Sequence, residues 1–130
     1  MRVVVASRSA LLVVCVGLST ACREAPPLSH EVDIQPLWDA KCSDCHMDGL
    51  AFGGLFLDRG HAHANLVGVH ASQLRTMSRV EPGAPARSYL WLKLEGEHEG
   101  AGGYGEQIPV LWTDEERTRI RTWIEQGAHP

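Results

Sequence analysis

The sequence predicts a small, mainly α-helical domain. Its last helix is specified most fully, because Thr113 and Glu116 have the spacing of a capping box and acidic residues fill the first turn. The apolar stripe of this helix consists of Ile120, Trp123 and Ile124. A second apolar stripe precedes a pair of cysteines early in the chain, and no long alternating pattern indicates an extended sheet. Helices are therefore expected near both ends of the fold.

The first helix is expected to begin near Pro36, since proline is tolerated at the first helical position. Its apolar stripe, which continues to Cys42 and Cys45, begins with Ile34, Leu37 and Trp38. This helix should therefore carry the two cysteines into the core.

Glycine and proline divide the middle of the chain. Gly53-Gly54 breaks it before a short helix that is expected over residues 62–67. A Pro-Gly-Ala-Pro turn at residues 82–85 precedes a buried helix over residues 87–94. That helix should end at a glycine-rich loop, residues 96–105, whose first glycine caps it.

The run Cys42-Ser43-Asp44-Cys45-His46 has the attachment spacing of c-type haem. On a helical turn the two thiols fall on one face, from which they can form thioethers with the vinyl groups of a porphyrin. His46 follows at once and is placed to be the proximal axial ligand of the iron. The motif therefore predicts one covalent haem c, bound by Cys42, Cys45 and His46.

Other interpretations explain the motif less completely. A zinc site would need a fourth ligand and usually a second cysteine pair, but no cysteine follows Cys45. A thioredoxin-like redox pair belongs to a βαβ unit, which this sequence does not show. A disulfide between Cys42 and Cys45 would leave His46 without a role.

Residues 1–21 have the features of a signal peptide. Arg2 and Arg8 flank the start, an apolar run covers residues 10–18, and small residues precede Cys22. The apolar run is too short to remain as a membrane-spanning helix. Export is therefore expected.

The segment Leu18-Ser19-Thr20-Ala21-Cys22 resembles a bacterial lipobox, with its aliphatic residue one place too early. We therefore expect acylation of Cys22, which anchors the protein at the periplasmic face of a membrane. A tether over residues 22–30 then leads to a folded domain over residues 31–130. Cleavage after Ala21 to give a soluble periplasmic protein is the alternative.

Composition restricts the function further. A formal net charge of −4 on 130 residues argues against a nucleic-acid partner. The length without the signal peptide fits one domain, and its few cysteines exclude a disulfide scaffold. A core of this size is marginal, and an apolar porphyrin would supply part of the interior.

The chain resembles class I c-type cytochromes and is most similar to the planctomycete-type cytochrome c domain of exported bacterial proteins. The matching positions cover almost the whole mature chain: Ile34-x-Pro36, Cys42-x-x-Cys45-His46, Gly54-Leu55-x-Leu57, Leu66-Val67, Val80-x-Pro82-Gly83-x-Pro85-x-x-Ser88-Tyr89-Leu90, Lys93-Leu94-x-Gly96 and Trp123-Ile124-x-x-Gly127-Ala128. The resemblance implies a small class I cytochrome c-like fold, in which the first and last helices pack around a covalently bound haem.

The sequence departs from that family at the expected distal haem ligand. In the family, a Met-Pro pair before the last helix normally supplies a methionine for this role. Here the place holds Gln107-Ile108-Pro109, and an isoleucine cannot ligate iron.

Other residues are candidates for the distal ligand. Met77 is the methionine candidate, although a flexible core filler is an equal explanation. Met47 adjoins the proximal ligand and is not expected to reach the other face. Gln107 is placed to hydrogen-bond a distal ligand. Further candidates, each better explained as a solvated surface residue, are His61, His63, His70 and His98.

Two functions follow from this pattern. The first is a monohaem electron carrier, rather than an enzyme, that passes single electrons between redox protein partners. The alternative is a haem protein with an open or labile distal site, which binds small ligands or performs peroxide chemistry. Peroxide chemistry would normally require distal acid–base groups, and the sequence shows no such set.

Overall fold

The computed structural model describes residues 25–105, 108 and 111–130, so the predicted signal peptide lies outside the described residues. Within them the chain is helix-rich, as predicted, and also contains two short antiparallel hairpins that the sequence did not predict. The helices are α1 (Gln35–Lys41), α2 (Ala62–Leu66), α3 (Tyr89–Glu95) and α4 (Asp114–Glu125). The hairpins pair β1 (His46–Met47) with β2 (Leu50–Ala51), and β3 (His70–Ala71) with β4 (Leu74–Ser78).

The first helical segment begins before Pro36. A π-helical turn, His30–Ile34, runs directly into α1, and the Ser29 side chain caps it by accepting a hydrogen bond from the Val32 N–H. Pro36 lies in the first turn of α1, where its missing N–H costs no helical hydrogen bond. Leu28 already packs against the core, so contacts begin slightly before the predicted boundary at residue 31.

Helix α1 ends before the cysteine motif, so Cys42 and Cys45 follow the helix instead of lying on it as predicted. Cys42 has a φ of −130°, outside the helical region, and this ends α1. The next turn is closed by the N–H groups of Cys45 and His46, which donate to the Cys42 carbonyl at 3.1 and 3.0 Å. The motif therefore keeps the spacing of one helical turn without belonging to a helix.

Helix α4 begins with the predicted capping box. The Thr113 Oγ1 accepts from the Glu116 N–H at 3.2 Å, and the Glu116 carboxylate accepts from the Thr113 N–H at 2.9 Å. The two middle helices are confirmed as α2 and α3, and Gly96 caps α3 with a left-handed φ of 75°. No helix of the described ranges is long and apolar enough to cross a bilayer.

The core lies where the first helical segment packs against the last. Its fully buried side chains there are Ile34, Trp38, Ile120, Trp123 and Ile124. The carbonyl of His129 joins the first helical segment to the last, because it accepts from the His30 N–H at 2.9 Å and from the Trp123 Nε1–H at 2.8 Å. Burial of apolar side chains and hydrogen bonds therefore both stabilise this junction between the first and last helical segments.

His30 is a buried polar residue inside this junction, only 3% exposed. Its Nε2 accepts a hydrogen bond from the Trp38 Nε1–H at 3.1 Å, which requires an unprotonated Nε2. Burial and the neighbouring His63 lower the pKa of His30 to about 4. The folded protein therefore holds this imidazole neutral at pH 7.

Acidification should destabilise the fold through His30. Its folded pKa of about 4 lies below the ordinary histidine pKa of 6.5, so the unfolded chain binds the proton more readily. The free energy of unfolding should therefore fall as the pH decreases from about 6.5 to about 4. His30→Gln keeps an acceptor for Trp38 but does not titrate, so its free energy of unfolding should fall less over this interval. Denaturant titrations at pH 7.5 and 4.5 measure the difference.

The exposed His70 provides a matched control. His70→Gln should retain the wild-type loss of stability between the two pH values. An equal loss in His30→Gln and wild type would show that His30 does not control this transition.

Candidate functional site

A cavity of about 570 Å³ opens beside the core, lined by residues from α1, α2 and α3, from the segments between them, and by Ile108 and Trp112. Its volume is typical of pockets that hold a cofactor or a similarly sized ligand. The wall is mainly apolar and includes Trp38, Leu57, Leu66, Leu90 and Leu94. The cavity therefore offers a largely water-excluding surface to whatever it binds.

All three residues of the predicted attachment motif, Cys42, Cys45 and His46, line this cavity. His46 is the first residue of β1, and its carbonyl accepts from the Leu57 N–H at 2.6 Å, which fixes the backbone there. Its Nδ1 is buried and has no hydrogen-bond partner among the described residues. A buried ring nitrogen without a hydrogen-bond partner is energetically costly, so this imidazole is an incompletely satisfied polar group of the cavity wall.

The two thiols differ in environment. Cys42 packs against the core, and burial raises its pKa to about 12, so its thiol is protonated at neutral pH. Cys45 is exposed at the rim. Nucleophilic cysteines require thiolate character, so Cys42 does not fit a catalytic role of that kind. Within the described ranges, no group of three or more His, Cys, Asp or Glu residues could hold a metal ion.

Lys41 closes one side of the cavity. Its Nζ donates to the Leu111 carbonyl at 2.9 Å, forms an ion pair with Glu116, and lies 4.8 Å from the Trp112 ring centroid. The hydrogen bond from Lys41 lowers the pKa of the Glu116 carboxyl. One side chain thereby joins the end of α1 to the beginning of α4, next to the cysteine motif.

Ile108 lines the cavity, at the place where the resemblance expects a distal methionine. Met77 lies half-buried in β4 and Met47 is exposed in β1, and neither belongs to the lining. Within the described ranges, His46 is the sole histidine of the cavity wall and no methionine lines it. The predicted role of Gln107 falls outside the described residues, as does that of Cys22.

The remaining histidine candidates have other partners. His61 is exposed with its Nδ1 2.6 Å from an Asp58 carboxylate oxygen, and His70 is also exposed. His63 donates from Nε2 to the Ala128 carbonyl at 2.8 Å. His98 is not a surface residue: it is only 2% exposed and donates from Nε2 to the Gly105 carbonyl at 2.8 Å.

His98 is buried because the glycine-rich loop folds back onto α3. The Tyr89 hydroxyl and the Lys93 ammonium both donate to the Tyr104 carbonyl, at 3.0 and 3.2 Å. Gly103 is needed for this approach, since a Cβ there would lie 2.6 Å from Cε2 of Tyr89. Side chains of α3 therefore hold the glycine-rich loop at Tyr104.

Two further polar residues of the cavity wall, Arg79 and Trp112, were not predicted from the sequence. The Trp112 Nε1 is buried and has no hydrogen-bond partner among the described residues. Arg79 follows β4 and reaches across to Asn65 and Gly54. No local pattern marks either residue, because only the tertiary fold brings them to the cavity.

Comparison with known proteins found no relative of this chain. No protein family, curated protein or solved structure matches the chain. The function of the chain must therefore be inferred from the cavity and from the residues that line it.

Proposed function

We propose that this chain is a monohaem c-type cytochrome that carries single electrons. The observation that carries the proposal is the shared position of Cys42, Cys45 and His46 on one mainly apolar cavity of about 570 Å³. Packing of the first helical segment against the last agrees with the class I cytochrome c-like fold that the resemblance implies. Assignment of the helix-rich domain to the class I cytochrome c-like fold is part of the same proposal.

The residues present fit a covalent haem. Each thiol adds across one vinyl group, so that the S–H bond and the vinyl π bond are replaced by a C–S and a C–H bond without any oxidant. His46 would provide the proximal nitrogen ligand. Bound in this way, the iron supplies reversible one-electron chemistry.

The chain's own contribution is to hold the group rigidly and to exclude water. Trp38, Leu57 and Leu66 are buried on the core side of the cavity, which gives that side a low dielectric constant. Cys45, Met47 and Phe52 are exposed around the motif. Electrons would pass to and from redox protein partners at this exposed edge of the cavity.

Haem attachment should depend on both cysteines. In a host with a cytochrome c maturation system, the wild type should retain haem through denaturing electrophoresis and resist extraction into acidified organic solvent. Cys42→Ser/Cys45→Ser should lose all covalent haem, and His46→Ala should lose the proximal ligand and much of the stability that the bound group confers. Haem staining of the gel and the absorption spectrum measure both effects.

Asp44→Ala is the matched control, because Asp44 is exposed and lies between the two cysteines. This variant should keep covalent haem at the wild-type level. Complete extraction of haem from the wild-type chain would refute the proposal.

Export and anchoring complete the proposal: the signal peptide directs the chain across the membrane, and acylated Cys22 holds it at the periplasmic face. The wild type should therefore partition into detergent on phase separation, and Cys22→Ser should release it into the aqueous phase. Cys42→Ser is the control and should still partition into detergent. Wild-type protein found wholly in the soluble periplasmic fraction would support the soluble alternative and leave the haem proposal intact.

The cavity wall also favours the second candidate function, a haem protein with an open distal position. No methionine lines the described wall, and its sole histidine is the proximal candidate. Small exogenous ligands would then reach the iron on the side of Ile108. Both functions are compatible with haem attached at Cys42, Cys45 and His46. The two candidate functions therefore differ only in what occupies the distal position of the iron.

The distal residue should control ligand access. Wild-type ferrous protein should bind carbon monoxide rapidly, and the ferric form should lack the methionine-to-iron charge-transfer band. Ile108→Met should produce this band, slow the binding of carbon monoxide and raise the reduction potential, because a thioether favours the ferrous state. Stopped-flow mixing and ferric absorption spectra measure these changes.

Met77→Ala is the control and should leave the spectrum unchanged, since Met77 lies outside the cavity wall. A wild-type charge-transfer band that disappears in Met77→Ala would instead identify Met77 as the ligand.

A further inference from the structure

Arg79 is held at the cavity wall by neutral acceptors. Its Nη1 donates to the main-chain carbonyl and to the Oδ1 of Asn65, at 2.8 and 2.6 Å. Its Nη2 donates to the carbonyls of Gly53 and Gly54, at 3.3 and 2.9 Å. The Nε–H makes no hydrogen bond with the described residues, so one donor of the guanidinium remains for a ligand.

None of these partners neutralises the charge. Within the described ranges, Arg79 forms no ion pair with a carboxylate. Burial lowers the pKa of Arg79, because the guanidinium is partly removed from water. By contrast Lys41, another cation of the wall, already has the Glu116 carboxylate as its partner. A partly buried cation is costly when all of its partners are neutral, and an anionic ligand would reduce this cost.

A bound haem would bring two carboxylates to a mainly apolar cavity, and any of these that became buried would need a charged partner. We propose that Arg79 binds a carboxylate of the haem, and that Asn65 and the Gly53-Gly54 carbonyls fix its guanidinium for this purpose. The inference rests on the proposed function, since it concerns the same cofactor. Because the guanidinium is already immobilised, little conformational entropy remains to be lost when the carboxylate binds.

The alternative role for Arg79 is purely structural. Its hydrogen bonds tie the Gly53-Gly54 turn to Asn65, so substitution would destabilise the protein in either case. A test must therefore measure an electrostatic effect on the cofactor as well as stability. Arg75 provides the matched control, because it is an exposed arginine on neighbouring β4.

The first measurement is the reduction potential of the covalent holoprotein. A nearby cation stabilises the reduced state, so Arg79→Gln should lower the potential relative to wild type. Arg79→Lys, which keeps the charge, should give an intermediate value. Arg75→Gln should have the wild-type potential at moderate ionic strength, because an exposed charge is screened.

The second measurement compares haem with its dimethyl ester in the full chain carrying Cys42→Ser/Cys45→Ser, where binding is not covalent. Added Arg79→Gln should reduce the preference for the free acid over the ester by roughly tenfold, the factor expected for one charge-assisted hydrogen bond. Arg79→Lys should reduce it by less, and Arg75→Gln should not change it. Absorbance titration gives both dissociation constants.

The outcomes separate the two proposals. If Arg79→Gln lowers the free energy of unfolding but matches Arg75→Gln in potential and in acid-to-ester preference, Arg79 is only structural and the inference is overturned. If Arg79→Gln does not fold, an unchanged preference in Arg79→Lys overturns it. Absence of covalent haem from the wild type would refute the proposed function itself, and the attachment experiment detects that separately.

Discussion

Trp38 and Trp123 are fully buried where the first and last helical segments meet, and Trp38 also forms part of the cavity wall. Through its Nε1–H, Trp38 donates to the neutral imidazole of His30, which in turn packs on the Trp123 ring. The direction of α1, and therefore the position of the turn that carries Cys42, depends on this junction. Truncation of either tryptophan would cost about 3–5 kcal/mol and would move the cavity wall as well as weaken the core.

The cavity persists because the elements around it are fixed independently of one another. Lys41 ties α1 to the residues before α4, and Arg79 ties the Gly53-Gly54 turn to α2. Tyr89 fixes the glycine-rich loop on α3. A domain of this size has little other interior, so a bound porphyrin would act as the centre of its core, and binding energy would contribute directly to folding energy.

The parts of the fold that local chemistry determines could be predicted from the sequence. The Thr113–Glu116 capping box and the left-handed glycine after α3 each involve neighbours in the chain, and both were confirmed. The hairpins could not be predicted, because strands of two to five residues are stabilised by tertiary position and not by their own pattern. Burial of His98 and the approach of Arg79 to the cavity depend on long-range chain reversals, which periodicity does not report.

The His129 carbonyl oxygen accepts hydrogen bonds from the backbone of His30 and from the side chain of Trp123, so a single atom joins the first and last helical segments. This closure sets an order of events during synthesis. In any passage of the chain from its N-terminal to its C-terminal end, residues 42–46 emerge well before residue 129, and the junction cannot form until that last segment is free. In the interval the two thiols belong to an unfolded chain and are open to a modifying enzyme. Once the junction forms, Cys42 packs against the core while Cys45 stays exposed, so folding restricts access to the first thiol but not to the second.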